Sequence, residues 1–102
     1  MDMKKMMKEA QKMQRNAAIA QQEVAAMEFS ASAGGGMVEC VVSGDGALKS
    51  ITIDPEALDP EDVEILQDTI VACVNDAIAT ASEKANAHIN AAVGNLNMPG
   101  FM

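Results

Sequence analysis

The residues with the widest chemical reach are five cations near the N-terminus: Lys4, Lys5, Lys8, Lys12 and Arg15. Lys5, Lys8, Lys12 and Arg15 follow one another at steps of 3, 4 and 3, so a helix gathers them into one stripe beside its apolar seam, with Lys4 close by. Residues 1–15 set these five against Asp2 and Glu9, a local charge of +3. The rest of the chain holds two basic and thirteen acidic groups, a charge of −11. A basic arm is thus joined to an acidic body. Such a stripe suits the phosphates of a duplex, with affinity that falls steeply as salt rises. Two other readings stand beside that one. The lysines could serve only to solvate the flank of a coiled coil. Met on one face and Lys on the other also resembles a helix lying on a membrane surface, although the Met stripe runs on into an Ala-rich seam suited to helix packing. No aromatic side chain interleaves with the cations, which argues against a stacking platform for single strands. Gln11, Gln14 and Asn16 are the few groups nearby that could read base edges, so contact with a duplex would be mostly to its backbone.

The remaining inventory offers little chemistry. His88 is the sole histidine and falls in the late turns of a helical pattern close to its apolar stripe, where it reads as a satisfied or partly exposed packing residue. Cys40 and Cys73 fall in different patterns with no adjoining His or cation, so both are expected to sit reduced in apolar surroundings, with a disulfide or redox pair as the weaker alternative. Gly34-Gly35-Gly36 joins two strand patterns and lacks a following Lys-Ser/Thr pair, which makes it a turn and not a phosphate loop. The acids Asp59, Glu61, Asp62, Glu64 and Asp68 lack calcium-loop spacing and its central glycine, and helix capping accounts for them. The expectation is no catalytic residue, no metal, no cofactor and no small-molecule substrate.

These residues need elements to hold them. Met3, Met6, Ala10, Met13, Ala17, Ala20, Val24 and Met27 recur at steps of 3 and 4, and helix formers fill the gaps, so residues 2–28 read as one long helix with a coiled-coil seam. The period then shortens to two. Residues 29–33, 37–43 and 47–53 read as strands, separated by Gly34-Gly35-Gly36 and by Gly44-Asp45-Gly46. Residues 55–58 form a short turn. Asp59-Pro60-Glu61-Asp62 has the marks of a helix start, and Val63, Leu66, Ile70, Val74, Ala77, Ala81, Ala85, Ile89 and Ala92 continue an apolar face, so a second helix is expected over 60–92, stopping at Gly94.

The fold class is therefore α+β, an α-β-β-β-α order with a three-stranded antiparallel meander flanked by two long helices in a single domain over residues 1–94. Residues 95–102 form a flexible apolar tail. At ~1.5 Å per residue either helix outruns a compact body of this length. A core of Ala, Val, Ile and Met with Phe29 and Phe101 as its only aromatics is also thin. Both features point to a homodimer. No apolar run reaches the ~18–20 residues of a membrane span, and no signal peptide opens the chain, so no membrane partner is expected and the cytoplasm is the expected location.

Five segments, taken in order, resemble the YbaB/EbfC family of nucleoid-associated proteins. They are Met3-Lys4-Lys5-Met6-Met7-Lys8-Glu9-Ala10-Gln11-Lys12-Met13-Gln14, Gly34-Gly35-Gly36-Met37-Val38, Ile51-Thr52-Ile53-Asp54-Pro55, Leu66-Gln67-Asp68-Thr69-Ile70-Val71-Ala72 with Asn75-Asp76-Ala77, and Met98-Pro99-Gly100-Phe101. The resemblance implies a tweezer-like homodimer that binds duplex DNA with little sequence preference, acts in nucleoid organisation and gene expression, and resides in the cytoplasm on the nucleoid. It also implies that the helical arms make the contact, which on this chain designates Lys4, Lys5, Lys8, Lys12 and Arg15. Family members often carry several lysines in the second half of helix 2, whereas residues 77–102 here hold Lys84 and His88. The alternative reading is a dimeric protein–protein interaction module with Met-rich arms and no physiological DNA binding.

Overall fold

The computed structural model describes residues 2–93; the expected tail over 95–102 and the stop at Gly94 lie outside them. Helix α1 covers Met3–Ala26, the strands are β1 (Glu28–Ala33), β2 (Val38–Ser43) and β3 (Leu48–Ile53), and helix α2 covers Val63–Ala92. Two 3₁₀ turns, Pro55–Ala57 and Pro60–Asp62, link β3 to α2. The sheet is an antiparallel meander in the order β1-β2-β3.

Local chemistry sets the bounds. The Asp2 carboxylate accepts the Lys4 backbone N–H at 3.0 Å and so caps α1. The helix stops two residues before the expected Glu28 because Met27 is already extended, with φ −76° and ψ 152°. Glu28 instead opens β1, paired with Ser43. Met37 stays in the Gly34–Gly36 turn, its N–H bonded to the Gly34 carbonyl at 3.3 Å, so β2 begins at Val38. All three turn glycines have positive φ, between 65° and 92°, a region that penalises any side chain. An irregularity at Val41/Val42, which pair with Ser50 and Leu48, leaves Lys49 as the extra residue of a bulge.

The start of α2 differs from expectation. The marks at Asp59-Pro60 belong to a 3₁₀ turn, in which the Asp59 carboxylate accepts the Glu61 N–H at 3.0 Å. Asp54 does the same for Glu56 at 3.0 Å in the preceding turn. Asp62 then breaks the helical path, with φ −122° and ψ 35°, and α2 begins at Val63.

Alternation on β2 turns Val38, Cys40 and Val42 inward, where they meet Cys73, Ala77 and Ala81 of α2. These residues form the core, and Phe29, Ala31, Ile53, Leu66, Ile70 and Val74 pack around it. The small residues let helix and sheet approach closely but bury little area each. Helix α2 lies across β1 and β2 and leaves β3 almost uncovered. Leu48 and Ile51 pair with Val42 and Cys40, so they share the inward face. They nevertheless remain 50% and 39% exposed. The particle measures 70 × 28 × 15 Å with a radius of gyration of 19.6 Å, against about 13 Å for a compact chain of this length.

Candidate nucleic-acid interface

The candidate interface is built on α1, whose C-terminal turns are anchored and whose first turns are not. Ala20 and Val24 are buried and fix the C-terminal turns. Gly44, in the β2–β3 turn, donates its N–H to the Met27 carbonyl at 3.0 Å and passes so close to α1 that a Cβ there would lie 1.9 Å from the Val24 carbonyl oxygen. Glycine is required at that position by the approach of two backbones. Farther out, the His88 ring Nε2 meets Glu23 Oε1 at 3.0 Å, joining the two helices. The last residues of α2, Ala91 to Val93, lie against Glu9, Lys12, Met13 and Asn16. Residues 3–8 therefore extend beyond the end of α2.

All five cations designated by the sequence are exposed. At about 100° per residue, Arg15 lies roughly 140–180° around the helix from Ala20 and Val24, with Lys4 and Lys8 near it. Lys5 and Lys12 lie nearer the seam, roughly 60–80° from Ala20, so the stripe runs beside it, as the parallel spacing suggests, and reaches round to the far flank. Lys12 sits at its margin, beside the end of α2. Among the described residues the one ion-pair contact is His88 with Glu23, so none of these five cations is held by a carboxylate. The apolar seam also emerges past α2, leaving Met3 74% and Met6 52% exposed.

Charge is segregated along the molecule. The 3₁₀ turns and the first turns of α2 carry Asp54, Glu56, Asp59, Glu61, Asp62, Glu64 and Asp68, with no cation between them. About 45 Å of α2 separates that end from the one touching the basic arm.

A YbaB/EbfC DNA-binding family model matches residues 1–96, nearly the whole chain. The chain belongs to the YbaB/EbfC DNA-binding family. Its relatives include a protein named "Nucleoid-associated protein" from Saccharopolyspora erythraea, 54% identical over 82 residues, covering 80% of this chain and 71% of the relative. Another of that name, from Pelotomaculum thermopropionicum, is 46% identical over 100 residues, covering 98% of this chain and 95% of the relative. The fold matches the crystal structure of an uncharacterized protein from Helicobacter pylori with a TM-score of 0.75 at 23% identity, over 92% of this chain and 99% of that one. As a YbaB/EbfC protein the chain is non-enzymatic. Among the described residues no group of three or more His, Cys, Asp or Glu is placed to hold a metal, and no helix is long and apolar enough to cross a membrane.

Two contacts have no clear sequence signal. His88 is the satisfied, partly exposed packing residue its position suggests, but its partner carries no signal, since only the antiparallel register of α1 on α2 brings Glu23 to it. Cys40 and Cys73 are buried, as expected of reduced thiols, but their sulfurs lie 3.4 Å apart. The alternation of β2 and the inward line of α2 send each thiol to the core; their meeting depends on the three-dimensional register.

Proposed function

We propose that the chain is a homodimer that binds duplex DNA through backbone phosphates, with little sequence preference, using Lys4, Lys5, Lys8, Lys12 and Arg15. The observation that carries this reading is the basic row on α1: five exposed cations fall within about 100° on one side of the rod, Lys4, Lys5 and Lys8 lie on the turns beyond the end of α2, and none of the five is held by a carboxylate. A duplex carries one phosphate charge per ~1.7 Å of axis, so a row of lysines gains by releasing condensed counterions whatever the sequence. Two arms bring ten cations. The body opposes approach, with a dimer charge of twice −8, so the arms lead the encounter and the acidic end turns away from the duplex. Such a protein works on the nucleoid in the cytoplasm, with effects on nucleoid organisation and gene expression.

What supports the dimer is the uncovered β3 edge of the sheet. Leu48 and Ile51 of β3 and Val71 and Ile78 of α2 are large apolar side chains left in water. A second copy that lays the same residues against them removes this area from solvent on both sides, an isologous contact of the kind favoured in homodimers.

The test is duplex binding by the triple variant Lys5→Ala/Lys8→Ala/Lys12→Ala. An affinity loss of at least about 100-fold for mixed-sequence duplex, with dimer mass and helix content unchanged, is the expected result. Unchanged binding contradicts the assignment. The exposure of Met3 and Met6 favours a second reading, in which the arm tips grip a partner protein through adaptable Met contacts. A stoichiometric partner retained after nuclease treatment, together with no affinity for duplex, would establish it.

A further inference from the structure

We infer that Cys40 and Cys73 form a modification site, a buried dithiol that a two-electron oxidant converts into an intramolecular disulfide clamping β2 to α2. The two sulfurs lie 3.4 Å apart. Closing the bond takes a movement of about 1.4 Å, to the ~2.05 Å of a disulfide. They are the only cysteines in the chain, so within one protomer each thiol has a single possible partner. Both are buried where the sheet meets the helix, beside Val38, Val42 and Ala77. The Cys40 thiol donates to the Cys73 carbonyl at 3.5 Å, and the Cys73 sulfur lies 3.4 Å from the Ala31 carbonyl oxygen and 3.6 Å from that of Val38. These contacts keep the sulfurs facing one another.

The chemistry is a balanced exchange with an oxidant such as a diazene. One sulfur, as thiolate, adds to a nitrogen of the N=N bond. The second sulfur then displaces that nitrogen, the S–S bond forms, and the oxidant leaves as a hydrazine carrying the two protons and two electrons lost by the thiols. Burial and the neighbouring Cys40 thiol push the Cys73 thiol up to about 11. The thiolate is therefore scarce while the seam is closed, and the reaction proceeds through openings of α2 from the sheet. The resulting clamp spans β3 and both 3₁₀ turns, a closed loop of more than thirty residues, and none of the five arm cations lies inside it.

The experiment uses the full chain, reduced and folded, treated with diamide under native conditions and examined by mass spectrometry, non-reducing electrophoresis and thermal unfolding. Expected are a mass loss of about 2 Da, a Cys40–Cys73 cross-linked peptide, and a rise in unfolding temperature of about 10 °C that dithiothreitol reverses. Oxidation should also speed up in urea below the unfolding transition, while Cys40→Ser gives no cross-linked peptide. Three results overturn the inference: two thiols still free after exposure, a disulfide between protomers in place of the internal one, or an unfolding temperature that falls on oxidation.

Discussion

Cys73 carries the clearest residue-level consequence of folding. Its thiol goes from an ordinary 9.0 to about 11, chiefly because burial disfavours the thiolate and secondarily through its contact with Cys40. The folded chain then holds a proton that the unfolded chain releases between those values. The stability due to this group is fully present below about pH 9 and is lost as pH rises toward 11, by up to roughly 2–3 kcal/mol. Urea unfolding over pH 8–11 should show this decline, and Cys73→Ala should flatten it; an equal slope in both proteins would contradict the burial argument. The five cations were legible in the sequence because helical spacing alone places them on one side of a rod. The dithiol and the Glu23–His88 contact were not. Cys40 and Cys73 lie 33 positions apart and Glu23 and His88 lie 65 apart, so their meeting depends on tertiary register.

At the level of elements, the period of the apolar residues announced both helices and all three strands, and the glycines announced the turns. Boundaries moved where backbone bonding overrode side-chain pattern, as at Glu28, whose exposed side chain hides its pairing with Ser43. The Asp-Pro-Glu pattern misled because a capping carboxylate and a proline at the first position start a 3₁₀ turn as readily as an α-helix, and Asp62 supplied the break. Gly44 and Gly35 separate two uses of glycine. Gly44→Ala drives a Cβ into the Val24 backbone and should cost about 2 kcal/mol or more while loosening α1 from the sheet. Gly35→Ala meets open space and should cost only the strain of its positive φ, about 1–2 kcal/mol, with α1 undisturbed. Thermal unfolding with hydrogen exchange on residues 20–27 distinguishes them. Equal protection of α1 in the two variants would contradict the anchoring role of Gly44. The uncovered strand makes a second expectation: Ile51→Glu/Ile78→Glu should shift light-scattering mass from dimer to monomer without unfolding the chain, because both side chains already meet water in one protomer. A dimer that persists in this variant would place the interface elsewhere.

The whole molecule is a rod with unlike ends. Length was legible, since two uninterrupted helical patterns exceed what a compact chain of 102 residues can enclose, and the radius of gyration agrees. The side that α1 buries was legible as well, since Ala20 and Val24, its buried residues, both belong to the seam read from the spacing. A basic projection on a −8 chain makes attraction local and repulsion global, so binding should respond to ionic strength more sharply than net charge suggests.

The most direct test of the account is therefore the equilibrium constant for a mixed-sequence duplex, measured on confirmed dimer across a fourfold range of salt. Engagement of six to ten phosphates by the paired arms requires a linear log–log decline of roughly 10³-fold or more, with a slope reduced by about one for each cation–phosphate contact removed from the dimer. An affinity that stays flat as salt rises would contradict the claim that these arms hold DNA by its phosphates.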